Sequence, residues 1–243
     1  GRDRVVADTT TAQPASQPGL LARMLGVLTS PKATFAAVAA RPRWLGVMAI
    51  TLLIAAACQY YIMSSEGMQD AMFEQATRNP NMTDQQVAGV ERFIGALPYV
   101  LAGATLILGP LFSAVIAGIL LLIFSTLMGG EAKFKQVYSV MAHSGVVSTI
   151  SAVLTAGLIM LGAKPTGANP PGANLGIFVP MLEETSFVTQ FLSAIDLVLV
   201  WWIVTLSIGL AVLYKRRTGG IAFSLLCIYV LFALVLGYAR SGS

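Results

Sequence analysis

Few residues of this 243-residue chain are equipped for chemistry, and the most suggestive of them stand inside apolar runs. His143 is the only histidine, and Ser139 precedes it by four positions. Residues four apart share a helix face, so the spacing permits a Ser–His dyad for nucleophilic chemistry. No third group that would orient the imidazole is evident, and neither G-x-S-x-G nor H-E-x-x-H occurs in the chain. The competing reading is that His143, with Ser144, Ser148, Ser151 and Thr155, hydrogen-bonds between packed helices. Asp196 is the one carboxylate inside a predicted membrane span. An intramembrane acid suggests an ion or proton site. Ser193-x-x-Asp196 also reads as a capping box at the outer end of a helix, where the dipole favours an anion. Both readings stay open, and Asp196, His143 and Ser139 form the candidate intramembrane polar site.

Other chemistries find no residues to carry them. Cys58 and Cys227 each lie in a hydrophobic run, outside any C-x-x-C or Cys/His cluster, and read as small packing residues. No metal site, cofactor site or catalytic residue is expected. G-x-x-x-x-G-K-[ST] is absent, which leaves no nucleotide-hydrolysis motif. The sequence pI is about 9.2, but the basic residues gather beside apolar runs and no nucleic-acid motif accompanies them, so a nucleic-acid partner is not expected.

The elements that must position these residues are membrane helices. The chain is 56% hydrophobic and 11% charged, with a mean hydropathy of +0.76. A soluble domain carries about a quarter charged residues. Only helices and closed barrels satisfy backbone hydrogen bonds in lipid, and a helix needs about 20 apolar residues to cross. Five runs qualify, at about 44–63, 99–128, 137–162, 191–214 and 221–239. The second contains Pro110, so it should kink there or overhang one face of the membrane. The expected fold is all-α: a polytopic bundle of about five transmembrane helices, forming one membrane domain over 19–243. Residues 1–18, polar and rich in Thr and Pro, read as a disordered tail.

Lys and Arg set the expected orientation. With the N-terminus inside, the cytoplasmic segments hold eleven basic residues, among them Arg23, Arg41, Arg43, Lys133, Lys135, Lys215, Arg216 and Arg217, against four outside. The positive-inside rule then gives a cytoplasmic N-terminus and an exofacial C-terminus in a cytoplasmic membrane.

Three edge segments look like contact surfaces. Leu20, Leu21, Met24, Leu25 and Leu28 recur at helical spacing around Arg23. Ser30-Pro31 then reads as the cap and first turn of a helix that runs through Phe35 and stops before Pro42. These are expected to be short amphipathic interfacial helices that touch lipid or a cytosolic partner. The second segment, the 64–98 loop, predicts a hairpin: Met68, Met72 and Phe73 share one helix face, and Thr83 with Gln86 forms a capping box opening another helix. The third, 164–190, holds four prolines and three glycines and should dip into the interface or cover the outer end of the bundle. Candidate partner or lipid contacts are therefore Arg23, Phe35, Arg41, Arg43, Met68, Met72, Phe73, Lys215, Arg216 and Arg217.

The order of these features resembles the Yip (Ypt-interacting-protein-type) family of membrane proteins in its bacterial form. The resemblance rests on Ser30-Pro31-Lys32-Ala33-Thr34-Phe35 before the first span, on Gly129-Gly130-Glu131-Ala132-Lys133-Phe134-Lys135-Gln136-Val137 leading into the third, and on Ala142-His143-Ser144 within it. Asp196, Trp201-Trp202 and Gly209 follow in the fourth, and a short basic turn leads into the fifth. It covers roughly residues 20–239. The resemblance implies a five-helix protein without enzymatic activity that works through partners. The Asp-Leu-Tyr-Gly-Pro type of signature found in the GTPase-binding relatives is absent. The implied role is an accessory or scaffold for a bacterial transport complex, such as a macrolide-type ABC exporter with its adaptor. Homo-oligomers fit as well, and the alternative is a self-contained small transporter or channel that uses Asp196.

Overall fold

The computed structural model describes residues 19–165, 169–183 and 186–241. The expected tail 1–18 lies outside the described residues, apart from its boundary at Gly19. Among the described residues the chain is helical throughout and has no strand. Its helices are α1 (Leu20–Thr29), α2 (Pro31–Ala40), α3 (Leu45–Ser64), α4 (Glu66–Ala76), α5 (Asp84–Met128), α6 (Phe134–Met160), α7 (Phe187–Ser193), α8 (Leu197–Tyr214) and α9 (Thr218–Arg240). A 3₁₀ turn at Leu175–Phe178 precedes α7. Five helices, α3, α5, α6, α8 and α9, are long and apolar enough to cross a membrane.

The sequence-level hairpins form where their caps stand. Ser30 and Pro31 occupy the N-cap and first turn of α2, although the Ser30 side chain makes no capping bond. Thr83 and Gln86 close both arms of the capping box that opens α5. What the sequence divided into an outer helix and a second span is one helix of 45 residues, with Pro98 and Pro110 inside it. At about 1.5 Å per residue it is about 67 Å long, roughly twice the hydrocarbon core. A proline removes one backbone donor and crowds the carbonyl one turn back, but lipid offers the rest of the backbone no partner outside the helix. The helix therefore continues and overhangs.

The core is built around the first half of α6. Every residue from Val137 to Ser144 is buried there. A helix enclosed on all sides needs neighbours on all sides, and α1, α2, α3, α5 and α8 supply them. Tyr138 knots three of these elements. Its hydroxyl donates to the Pro110 carbonyl at 3.0 Å and lies 3.1 Å from the Met48 sulfur. Trp44 meets its ring edge-on, with centroids 4.8 Å apart.

Helix α2 buries one face in the bundle and leaves Lys32, Ala33, Ala36 and Ala40 exposed on the other. It is wedged against α6 and α8, and Phe35 is fully buried. A side chain at Gly209 would stand 3.0 Å from the Phe35 ring, so the missing Cβ makes room for the aromatic. Gln136 ties the other side by donating to the Ala39 carbonyl at 3.0 Å.

The fourth span begins later than the sequence suggested. Ser193 ends α7, and the cap of α8 is Asp196. Helix α7 crosses α9 closely enough that a Cβ on Gly237 would lie 2.9 Å from the Phe191 backbone.

Candidate functional site

The polar residues of α6 turn back onto their own helix. The Ser139 hydroxyl donates to the Lys135 carbonyl at 2.7 Å, and Ser144 donates to Val140 at 3.0 Å. His143 places Nδ1 2.8 Å from the Ser139 carbonyl. A carbonyl only accepts, so Nδ1 carries the proton and Nε2 presents a lone pair. That Nε2 is buried and has no hydrogen-bond partner. The His143 ring thus meets the Ser139 carbonyl while the Ser139 hydroxyl turns to Lys135, and the dyad that their spacing permits is not formed. On the facing helix, Ser207 donates to Ile203 at 2.7 Å in the same manner. Each hydroxyl satisfied within its own helix leaves a small, nearly apolar surface, and such surfaces allow close helix packing in lipid.

Asp196 belongs to a different construction at the far end of α8. Its Oδ1 accepts from the Val198 and Leu199 amides at 2.7 and 2.9 Å. These are two of the donors that a helix start leaves without an intrahelical partner. The Asp196 amide donates to the Tyr229 hydroxyl, which in turn donates to the Ala194 carbonyl, both at 2.9 Å. The preceding loop pairs alongside: the Leu175 amide reaches the Ile195 carbonyl, and the Leu197 amide reaches the Ala173 carbonyl, each at 2.9 Å. Asp196 thus anchors a joint of α8, α9 and the proline-rich loop. No hydrogen bond connects it with His143, and no group of three metal-ligating side chains occurs among the described residues.

The candidate contact residues separate into two groups. Phe35 and Met68 are fully buried and serve packing, which corrects their expected place among surface contacts. Amphipathic spacing marked the correct faces, but those faces turn toward the bundle. Met72 and Phe73 are half-buried on α4. Arg23 is also half-buried. It donates to the Arg43 carbonyl at 3.3 Å, and its Nε is enclosed without a partner. Arg41, Arg43, Lys215, Arg216 and Arg217 are exposed at the end of the bundle that holds α1 and α2, hereafter the basic end.

The sequence marks Gln136 only within the run that leads into the third span and does not mark Tyr229. Each is an ordinary residue in its own segment, and each matters because of a backbone group remote in sequence.

Five membrane-length helices, with the polar-threaded α6 packed among α3, α5 and α8, define a multi-pass α-helical membrane protein in contact with the lipid bilayer. The Yip1 domain profile matches residues 25–239. The chain belongs to that family, as the motifs before the first and third spans implied, and the family's members are membrane proteins not known as enzymes. No curated protein and no solved structure matches the chain.

Proposed function

We propose that the protein is a non-catalytic scaffold or accessory subunit of a membrane transport complex in a bacterial cytoplasmic membrane. The preferred partner is an ABC exporter of the macrolide-efflux type or its adaptor. In this reading the basic end and the N-terminus face the cytoplasm, and the C-terminus is exofacial.

The observation that carries the proposal is the overhang of α5. The Tyr60 and Tyr99 rings meet edge-on with centroids 5.2 Å apart, where α3 and α5 run together. Tyrosines favour the membrane–water interface, so residues 84–98 stand beyond it. This extension adds about 22 Å of helix at 1.5 Å per residue. It exposes Phe93 at 65% of its surface, packs against α4, and is held at its start by the Thr83–Gln86 box. A rigid aromatic-bearing projection is suited to contacting another membrane protein outside the bilayer.

Purification in a mild detergent followed by mass spectrometry tests the proposal. An exporter subunit or adaptor should be recovered in stoichiometric amount, and Phe93→Asp should reduce that recovery at least several-fold. Reproducible recovery of the protein alone refutes it. The alternative, transport through Asp196, has its carboxylate already committed to two backbone amides. Uptake into liposomes that is abolished by Asp196→Asn would restore it.

A further inference from the structure

A cleft of about 570 Å³ opens at the basic end between α2 and the turn that joins α8 to α9. Lys32 stands on one side, Lys215, Arg216 and Arg217 on the other, and Thr218 at the start of α9. Its apolar lining comes from Ala36, Ala211 and Val212, which belong to the packed helices themselves. Four cations from separate parts of the chain thus meet over a floor continuous with the bundle.

Two further features of the backbone shape this cleft. Lys215 has φ 52° and ψ 45° and is the one non-glycine residue with positive φ among the described residues. It ends α8 in a Schellman turn, with the Arg216 amide 2.9 Å from the Ala211 carbonyl and the Lys215 amide 3.4 Å from Val212. Glycine is the usual occupant of such a position because a Cβ is strained there. The second feature is the start of α9. Its N-cap is Arg217, no side chain caps it, and no acid stands in its first turn. Beyond Thr218, Gly219 and Gly220 leave open space where a Cβ would be. The first-turn amides are approachable, and their dipole favours an anion.

No carboxylate lines the cleft among the described residues. Glu131 is the one carboxylate described at this end, and it does not line the cleft. Lys32, Lys215 and Arg217 form no ion pair among the described residues.

We propose that this cleft binds the phosphate of an anionic phospholipid headgroup, held between Lys32 of α2 and the Lys215–Thr218 turn. A bilayer lipid, rather than free phosphate, is the assigned source. Its apolar floor of Ala36, Ala211 and Val212 belongs to α2 and to the membrane-length helix α8, so an acyl chain would meet apolar surface next to the basic rim. The site is independent of the scaffold reading, because it lies at the opposite end from the α5 overhang.

The test uses the full chain in phosphatidylcholine–detergent micelles titrated with phosphatidylglycerol, with bound lipid counted by native mass spectrometry. Wild type should retain one phosphatidylglycerol in preference to phosphatidylcholine. Lys32→Gln/Arg217→Gln should lower the apparent affinity about tenfold, given the attraction of each basic side chain near an anionic surface. Lys133→Gln/Lys135→Gln, equal in charge and at the same end but off the cleft, should stay within about twofold of wild type on the same reasoning. Lys32→Arg/Arg217→Lys should retain binding, which separates charge from damage to the fold. Lys215→Gly should raise thermal stability while weakening lipid retention. A lysine present only to end α8 would give the first effect without the second, and that result overturns the role assigned to it. An equal loss in both charge-matched doubles would mean diffuse attraction and overturn the site. Displacement of the lipid by millimolar inorganic phosphate would overturn the assignment to lipid.

Discussion

Asp196 caps the start of α8 with its carboxylate directed at two free amides of that helix. Its charge and its hydrogen bonds make separable contributions. Asp196→Ala removes the cap and should lower stability by about 1 kcal/mol, read as a fall in melting temperature in detergent. Asparagine caps a helix nearly as well as aspartate. Asp196→Asn should therefore melt within a degree or two of wild type, and a large fall would show that the charge itself is needed. His143 offers the complementary case. Its Nε2 is enclosed without a partner, and the Ser139 carbonyl that Nδ1 contacts also lies one helical turn before the His143 amide. Replacing an incompletely satisfied buried polar group by an apolar one of similar volume is often neutral or stabilising. His143→Leu should change stability by less than about 1 kcal/mol. A loss of several kcal/mol by thermal or denaturant melting would reveal a polar partner for Nε2.

At the scale of the helix, two short-range features govern long elements. The box at Thr83 holds the free end of α5, where Thr83 receives the Gln86 amide at 3.3 Å and its own amide donates to the Gln86 side chain at 2.8 Å. Thr83→Ala should cost about 1 kcal/mol locally. The loss should appear as faster amide hydrogen exchange over the first turns of α5, with exchange in the buried part of α6 unchanged. Gly209 has the opposite character, since it matters through what it lacks. Even a methyl there meets Phe35 at 3.0 Å and also runs into Val140. Gly209→Val should destabilise by roughly 1–3 kcal/mol through overpacking, and truncating Phe35 in the same chain should return part of that loss. A neutral Gly209→Val would show that α2 is not wedged as described. The sequence made the first of these features legible and hid the second. A capping box lies within four residues, whereas the fit of Phe35 against Gly209 joins segments at opposite ends of the chain.

For the whole molecule, the same distinction explains which parts of the reading stood. Five apolar runs marked the spans, because hydropathy acts within a segment; α3, α6 and α9 lie within a few residues of their expected limits. The boundary between Ser193 and Asp196 needed more. Both residues are able to cap, and the choice follows from Tyr229 and the Ala173–Leu175 strip, which no local pattern reveals. The polar candidates were likewise recognisable by type but not by arrangement, since His143 and Asp196 serve separate parts of the bundle. One crossing by each of the five membrane-length helices would place α1 and the end of α9 on opposite sides of the membrane. Which side is which rests on the basic residues at the α1–α2 end. Single cysteines at positions 70, 133 and 216, all exposed in the structure, test this in a background lacking Cys58 and Cys227. With a cytoplasmic N-terminus, an impermeant maleimide added to intact cells should label position 70 and leave 133 and 216 unmodified until the membrane is opened. The reverse pattern would invert the molecule and turn the α5 overhang toward the cytoplasm. Labelling of 70 together with 133 would break the alternation of spans, because a single crossing of α5 separates those two positions.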